Sequence, residues 1–108
     1  MAYYLVQAAY TAEAIAALLK KPQDRAAAIA PVVEGLGGKL DGFWFCFGEY
    51  DVVGIAQLPD NVSAAAFAFA VSQTGSLKSF KTTPLMTTDE SMKAMKKAAK
   101  AGYQPPGK

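Results

Sequence analysis

An α+β fold built on a four-stranded antiparallel sheet is predicted by three features of this 108-residue sequence. Segments rich in aromatic and β-branched residues alternate with alanine-rich segments of helical spacing, in the order strand, helix, strand, strand, helix, strand. The two central strands face each other across Gly48-Glu-Tyr-Asp51, the best hairpin connection in the chain. The composition, 52% hydrophobic and 19% charged, suits a chain that buries one core and is too apolar for a disordered one.

Residues 3–10, Tyr-Tyr-Leu-Val-Gln-Ala-Ala-Tyr, contain no breaker and read as the first strand. Thr11 is a good N-cap, and Ile15, Leu18 and Leu19 follow at helical spacing until Lys20-Lys21-Pro22 interrupts them. Pro22 opens a second helical segment, in which Ile29, Val32, Val33 and Leu36 share one face and Pro31 is expected to introduce a kink. Gly35, Gly37 and Gly38 close it.

The second strand, residues 39–47, sets Phe43, Phe45 and Phe47 on one face and Gly42, Trp44 and Cys46 on the other. The third runs from Val52 to Leu58 and ends at Pro59. Asp60 or Asn61 caps a helix through about Gln73, whose small alanines permit close approach to the sheet while Phe67 and Phe69 supply buried area. Gly75 stops it. Residues 77–86 form the fourth strand, in which Pro84 demands an edge or a strand end. Thr88 or Asp89 caps a last helix over residues 89–101, with Met92, Met95 and Ala99 on one side and lysines on the other. Residues 1–87 thus make the domain, and residues 88–108 a lysine-rich helix and tail.

This order is the split β-α-β arrangement of ferredoxin-like folds, with the helices on one face of the sheet. The other face is left bare. Its mixture of Trp44, tyrosines, glycine, glutamine and threonine calls for a cover, and a second copy of the chain, packing sheet on sheet into a dimeric α+β barrel, is the simplest one.

The composition excludes several kinds of chemistry. There is no histidine, so a Ser-His-Asp triad, a Cys-His pair and a two-histidine zinc helix are impossible within one chain. A single cysteine rules out an intrachain disulfide and a multi-thiolate metal site, and Cys46, lacking an activating partner, reads as a buried structural thiol. Neither metal nor cofactor is expected. No apolar run approaches the roughly 18 residues of a membrane span, and Met1-Ala-Tyr-Tyr-Leu-Val has no basic leader, so a cytoplasmic location is expected. The net charge of +2 conceals a basic tail, where Lys93, Lys96, Lys97, Lys100 and Lys108 face only Asp89 and Glu90. Without arginine or interleaved aromatics, these lysines read as a solvated helix face and not as a nucleic-acid site.

Three groups of residues are candidates for a site. Glu49, Tyr50 and Asp51 can share a proton or a cation if they converge, or can simply build a turn in which Asp51 bonds nearby amides. Tyr4, Tyr10, Trp44 and Tyr50 can line an aromatic pocket for a planar ligand, or pack a dimer core. Lys81, beside Thr82 and Thr83, can bind an anion or alternate on a surface strand. Asn61-Val-Ser63 matches a glycosylation acceptor and reads more simply as a helix start.

The series Gly37-Gly-Lys-Leu40, Gly48-Glu-Tyr-Asp51, Val-Val-Gly-Ile, Leu58-Pro-Asp60 and Gly75 before a Thr-rich last strand resembles the GYD-domain family over residues 3–87. The resemblance implies a small dimeric α+β barrel. Similar folds serve ligand-sensing domains of transcription regulators and cofactor-free monooxygenases, so fold by itself implies no activity. The leading expectation is a homo-oligomer that binds a small molecule without catalysis. Alternatives are a cofactor-free enzyme acting on an aromatic or enolisable compound, with Asp51 or Glu49 as base and Tyr50 as donor, and a purely structural assembly protein.

Overall fold

A computed structural model describes residues 1–107; Lys108, the last of the tail lysines, lies outside the described residues. Four strands, β1 (Ala2–Tyr10), β2 (Lys39–Phe45), β3 (Val52–Leu58) and β4 (Leu77–Leu85), form one sheet in the order β2-β3-β1-β4. Every neighbouring pair is antiparallel. Helices α1 (Ala12–Lys20) and α2 (Arg25–Gly35) connect β1 to β2, α3 (Asn61–Ser72) connects β3 to β4, and α4 (Thr88–Ala99) follows β4. The fold is α+β and ferredoxin-like.

Side-chain oxygens start the helices by accepting main-chain N–H groups left over in the first turn. Thr11 Oγ1 accepts from Ala14, Asp24 Oδ1 from Ala27 and Asp60 Oδ1 from Ser63. The Ser63 bond, 2.8 Å long, holds the Asp60 carboxyl below its ordinary pKa. Two starts differ from the sequence reading. Asp24, not Pro22, begins α2, and Thr87, not Thr88 or Asp89, begins α4. Thr87 wins because Glu90 lies three residues on: the Glu90 carboxylate accepts the Thr87 N–H while Thr87 Oγ1 accepts the Glu90 N–H. The Thr87 N–H also lowers the pKa of Glu90.

Helix α2 contains Pro31, exposed, and ends in a Schellman turn: Gly38 donates to the Val33 carbonyl at 3.0 Å and Gly37 to that of Glu34 at 2.9 Å. Gly37 occupies the left-handed region at φ 84° that this turn requires. Gly38 then passes so close to β3 that a Cβ would collide with the Gln57 carbonyl oxygen.

Strand register sorts the residues onto two faces. On the helix side lie the rows Leu40–Ala56–Tyr4–Pro84 and Phe43–Gly54–Val6–Thr82. Tyr4, Val6, Ala56 and Leu58 pack there with Val33 of α2 and with Ala64 and Phe67 of α3 to form the core. On the open side lie the rows Trp44–Val53–Gln7–Lys81 and Gly42–Ile55–Leu5–Thr83. Pro84 fits because β4 is an edge strand and Pro84 its penultimate residue.

Three packing expectations are corrected. Strand β2 ends at Phe45, and Phe47, assigned with Phe43 and Phe45, lies beyond it and is 99% exposed. Phe69 is exposed although Phe67 is buried, because residues two apart on a helix point in nearly opposite directions. Cys46 is exposed and lies in the β2–β3 connection, its Sγ 3.2 Å from the Tyr50 carbonyl.

No residue of helix α4 is buried, and Met92 and Met95 on it are exposed. The molecule is elongated, 58 × 34 × 22 Å along its principal axes. The radius of gyration is 17.4 Å, against about 13 Å for a compact chain of this length.

Candidate functional site

Between the helix face of the sheet and the inner sides of α2 and α3 lies a cavity of about 280 Å³. Its floor comes from β1, β3 and β4 through Val6, Ala8, Val52 and Phe80, and its walls from Ile29 and Val32 of α2 and Phe67, Ala70 and Val71 of α3. The space follows from the residues that surround it. Ala28 and Ala70 are too small to reach the sheet, while Phe67 and Phe80, tilted with ring centroids 6.0 Å apart, prop the layers open.

Polar groups enter at few points. Tyr10, Arg25, Thr74 and Ser76 line the cavity, together with Gln7, whose row belongs to the open face of the sheet, and Arg25 is the one charged residue among them. Thr74 Oγ1 donates to the Val71 carbonyl at 3.0 Å, which keeps it at the end of α3. Arg25, half-buried, donates to Gln23 Oε1 at 2.8 Å. It is the only arginine in the sequence and was not among the candidates read from it. The signal was present: Arg25 stands four residues before Ile29 and seven before Val32, on the same apolar helix face.

A shallower groove of about 250 Å³ lies between the start of α3 and β4, lined by Tyr4, Asn61, Thr82 and Pro84 among others. The Tyr4 hydroxyl donates to Asn61 Oδ1 at 2.8 Å. Thr82 Oγ1 is buried beside them and has no hydrogen-bond partner among the described residues.

The candidate residues are distributed over both faces. Tyr10 lines the main cavity, whereas Tyr4, 2% exposed, lines the smaller groove and belongs to the core. Trp44, 54% exposed, stands on the open face with its indole over Gly42, where any side chain would collide with it. Lys81 shares that face at the other end of the same row. The sheet therefore separates Tyr4 and Tyr10 from Trp44 and Lys81.

The Gly48–Asp51 connection is organised by main-chain bonds. Asp51 Oδ2 accepts the Tyr10 N–H, the Asp51 N–H donates to the Ala8 carbonyl, and the Asp51 carbonyl accepts the Cys46 N–H at 2.8 Å. Glu49 is exposed and Tyr50 half-buried. Among the described residues no group of histidine, cysteine or carboxylate side chains is placed to hold a metal ion, and no helix is long and apolar enough to cross a membrane.

Three solved structures share the fold. A protein of Thermus thermophilus, TTHA0845, superposes with a TM-score of 0.54 at 13% identity, over 82% of this chain and 96% of its own. A protein described as FFRP-DM1 superposes with a TM-score of 0.51 at 13% identity, over 80% of this chain and 100% of its own. An uncharacterized NIPSNAP domain protein from Burkholderia xenovorans gives a TM-score of 0.51 at 21% identity, over 82% and 95% of the two chains. No curated protein matches the sequence. The family model of the GYD domain matches residues 4–95, from the first strand into α4, and with most of its length so matched the chain belongs to the GYD-domain family.

Proposed function

We propose that this protein is a cytoplasmic homodimer that binds a small molecule, without catalysis, in the cavity between its sheet and helices α2 and α3. The observation that carries this reading is the cavity itself: a largely apolar space of about 280 Å³ with few polar residues in its lining. A few polar groups set in an apolar wall are what orient a small ligand. Binding is favoured over catalysis because the carboxylate of Asp51, one of the two candidate bases, accepts a main-chain N–H.

The open face supports the dimer. Leu5, Val53, Ile55 and Trp44 form an apolar strip across three strands, and a second copy laid on it would bury them in a two-sheet core. The cavity lies on the opposite face, so dimer formation leaves it accessible.

Native mass spectrometry of protein purified from its own host tests both parts, since one spectrum reports subunit count and retained mass. A dimer carrying an adduct that is lost in Ala70→Trp, which fills the cavity, is the expected result. A monomer overturns the dimer. An adduct that persists in Ala70→Trp overturns the cavity as its site.

A further inference from the structure

We propose that the ligand of this cavity is a small amphipathic carboxylic acid, its apolar part among Ile29, Phe67 and Phe80 and its carboxylate on the guanidinium of Arg25; this rests on the cavity being the binding site. Arg25 is the only charged residue in the lining, and the remainder of the wall is largely apolar. Its hydrogen-bond partner is the neutral amide oxygen of Gln23, and no ion pair joins it to a carboxylate among the described residues. The nearest carboxylate in sequence, Asp24, is committed to the Ala27 N–H.

A guanidinium held by one neutral acceptor retains free donors in a planar fork that matches a carboxylate. Tyr10 and Ser76, which carry hydroxyls, are also among the residues that line this space. Size limits the rest of the molecule: at ~30 Å³ per water-sized atom, the cavity admits about nine non-hydrogen atoms. A cation would meet Arg25 unfavourably, and a fully apolar ligand would strand its unused donors.

The test uses heptanoate and 1-heptanol, which share a chain and differ in charge, titrated into the full-length wild type and Arg25→Gln with calorimetry. The expected result is that wild type prefers heptanoate by at least about tenfold, the effect of a charge-assisted hydrogen bond, and that Arg25→Gln loses this preference while still binding heptanol. Arg25→Lys, keeping the charge without the fork, should retain part of it, which guards against a variant that has lost its helix start. Equal binding of both compounds in wild type, displaced by Ala70→Trp, overturns the carboxylate while leaving the cavity as the site. Binding of neither compound overturns the carboxylic acid proposed here; a host adduct that persists in Ala70→Trp is what would remove the cavity itself.

Discussion

The carboxylate of Asp51 accepts the main-chain N–H of Tyr10 at 2.8 Å, at the point where β1 slips its register against β4 between Ala9 and Tyr10. A register shift leaves a main-chain donor without a ladder partner, and here a side chain from the neighbouring strand's entry supplies the acceptor. The same residue bonds Ala8 and Cys46 through its own main chain, so it ties β1, β2 and β3 together at one end of the sheet. Asp51→Ala is expected to destabilise the fold by about 1.5–3 kcal/mol, the range for a lost hydrogen bond to a charged group. Asp51→Asn, which keeps an acceptor, should cost less. Chemical denaturation checks both, and equal stability of Asp51→Ala and wild type would remove Asp51 as a structural tie.

Gly38 is required by proximity. Any Cβ there meets the Gln57 carbonyl oxygen and the side chains of Leu58 and Val33, two of the most buried residues in the core. Because the carbonyl belongs to a central strand, it cannot yield as a flexible side chain would. Gly38→Ala should therefore cost about 1–3 kcal/mol, as overpacking does, whereas Gly35→Ala, with open space around it, should be neutral or stabilising.

The open sheet face gives a separate prediction. Val53 and Ile55 sit near its centre, on a strand flanked on both sides. Val53→Lys should yield a monomer with unchanged far-ultraviolet circular dichroism, measured by sedimentation velocity. In the proposed dimer a lysine there would be buried without a partner for its charge. A dimer that survives Val53→Lys places the interface elsewhere.

Helix α4 should be thermodynamically independent of the domain. None of its residues is buried, so ending the chain after Met86 is expected to leave the melting temperature of residues 1–86 within a few degrees of wild type. A large drop would mean that α4 docks in solution on the domain or on a partner copy.

The caps predict a response to acid. Asp60 and Glu90 have lowered pKa values in the fold because each carboxylate accepts a main-chain N–H, from Ser63 and Thr87 respectively. Their contributions are therefore complete above the unfolded values, about 3.9 and 4.3, and are lost as pH falls through the lower folded ones. Lowering pH from 6 to 3 should reduce the melting temperature of wild type more than that of Asp60→Asn, which caps α3 without titrating. For Glu90→Gln the difference should appear in helicity and not in the melting transition, since α4 stands apart.

How far the residues themselves carried the description depends on the range of the interaction concerned. The element order, the edge position of Pro84, the alternation of Phe43 and Trp44 across β2, and the Asp60 cap were legible, because each follows from a period of two or 3.6 or from a neighbour a few residues away. The family resemblance was legible for the same reason: its glycines and turn residues are local requirements. Phe69 and Cys46 were misplaced because local composition says how apolar a segment is, and only packing says which of its side chains lies against another layer.

The candidate site divides in the same way. Aromatic residues could be counted in the sequence, but whether Tyr4 and Trp44 meet depends on strand register, which sets one in the core and the other on the opposite face of the sheet. The bond between Asp51 and Tyr10 spans 41 positions and exists only because β1 lies beside β3. Arg25 alone in an apolar cavity is likewise a tertiary fact. Short-range chemistry determined the strands, the helices and where they start; the distances between layers, which no local pattern encodes, decided what the residues on them can do.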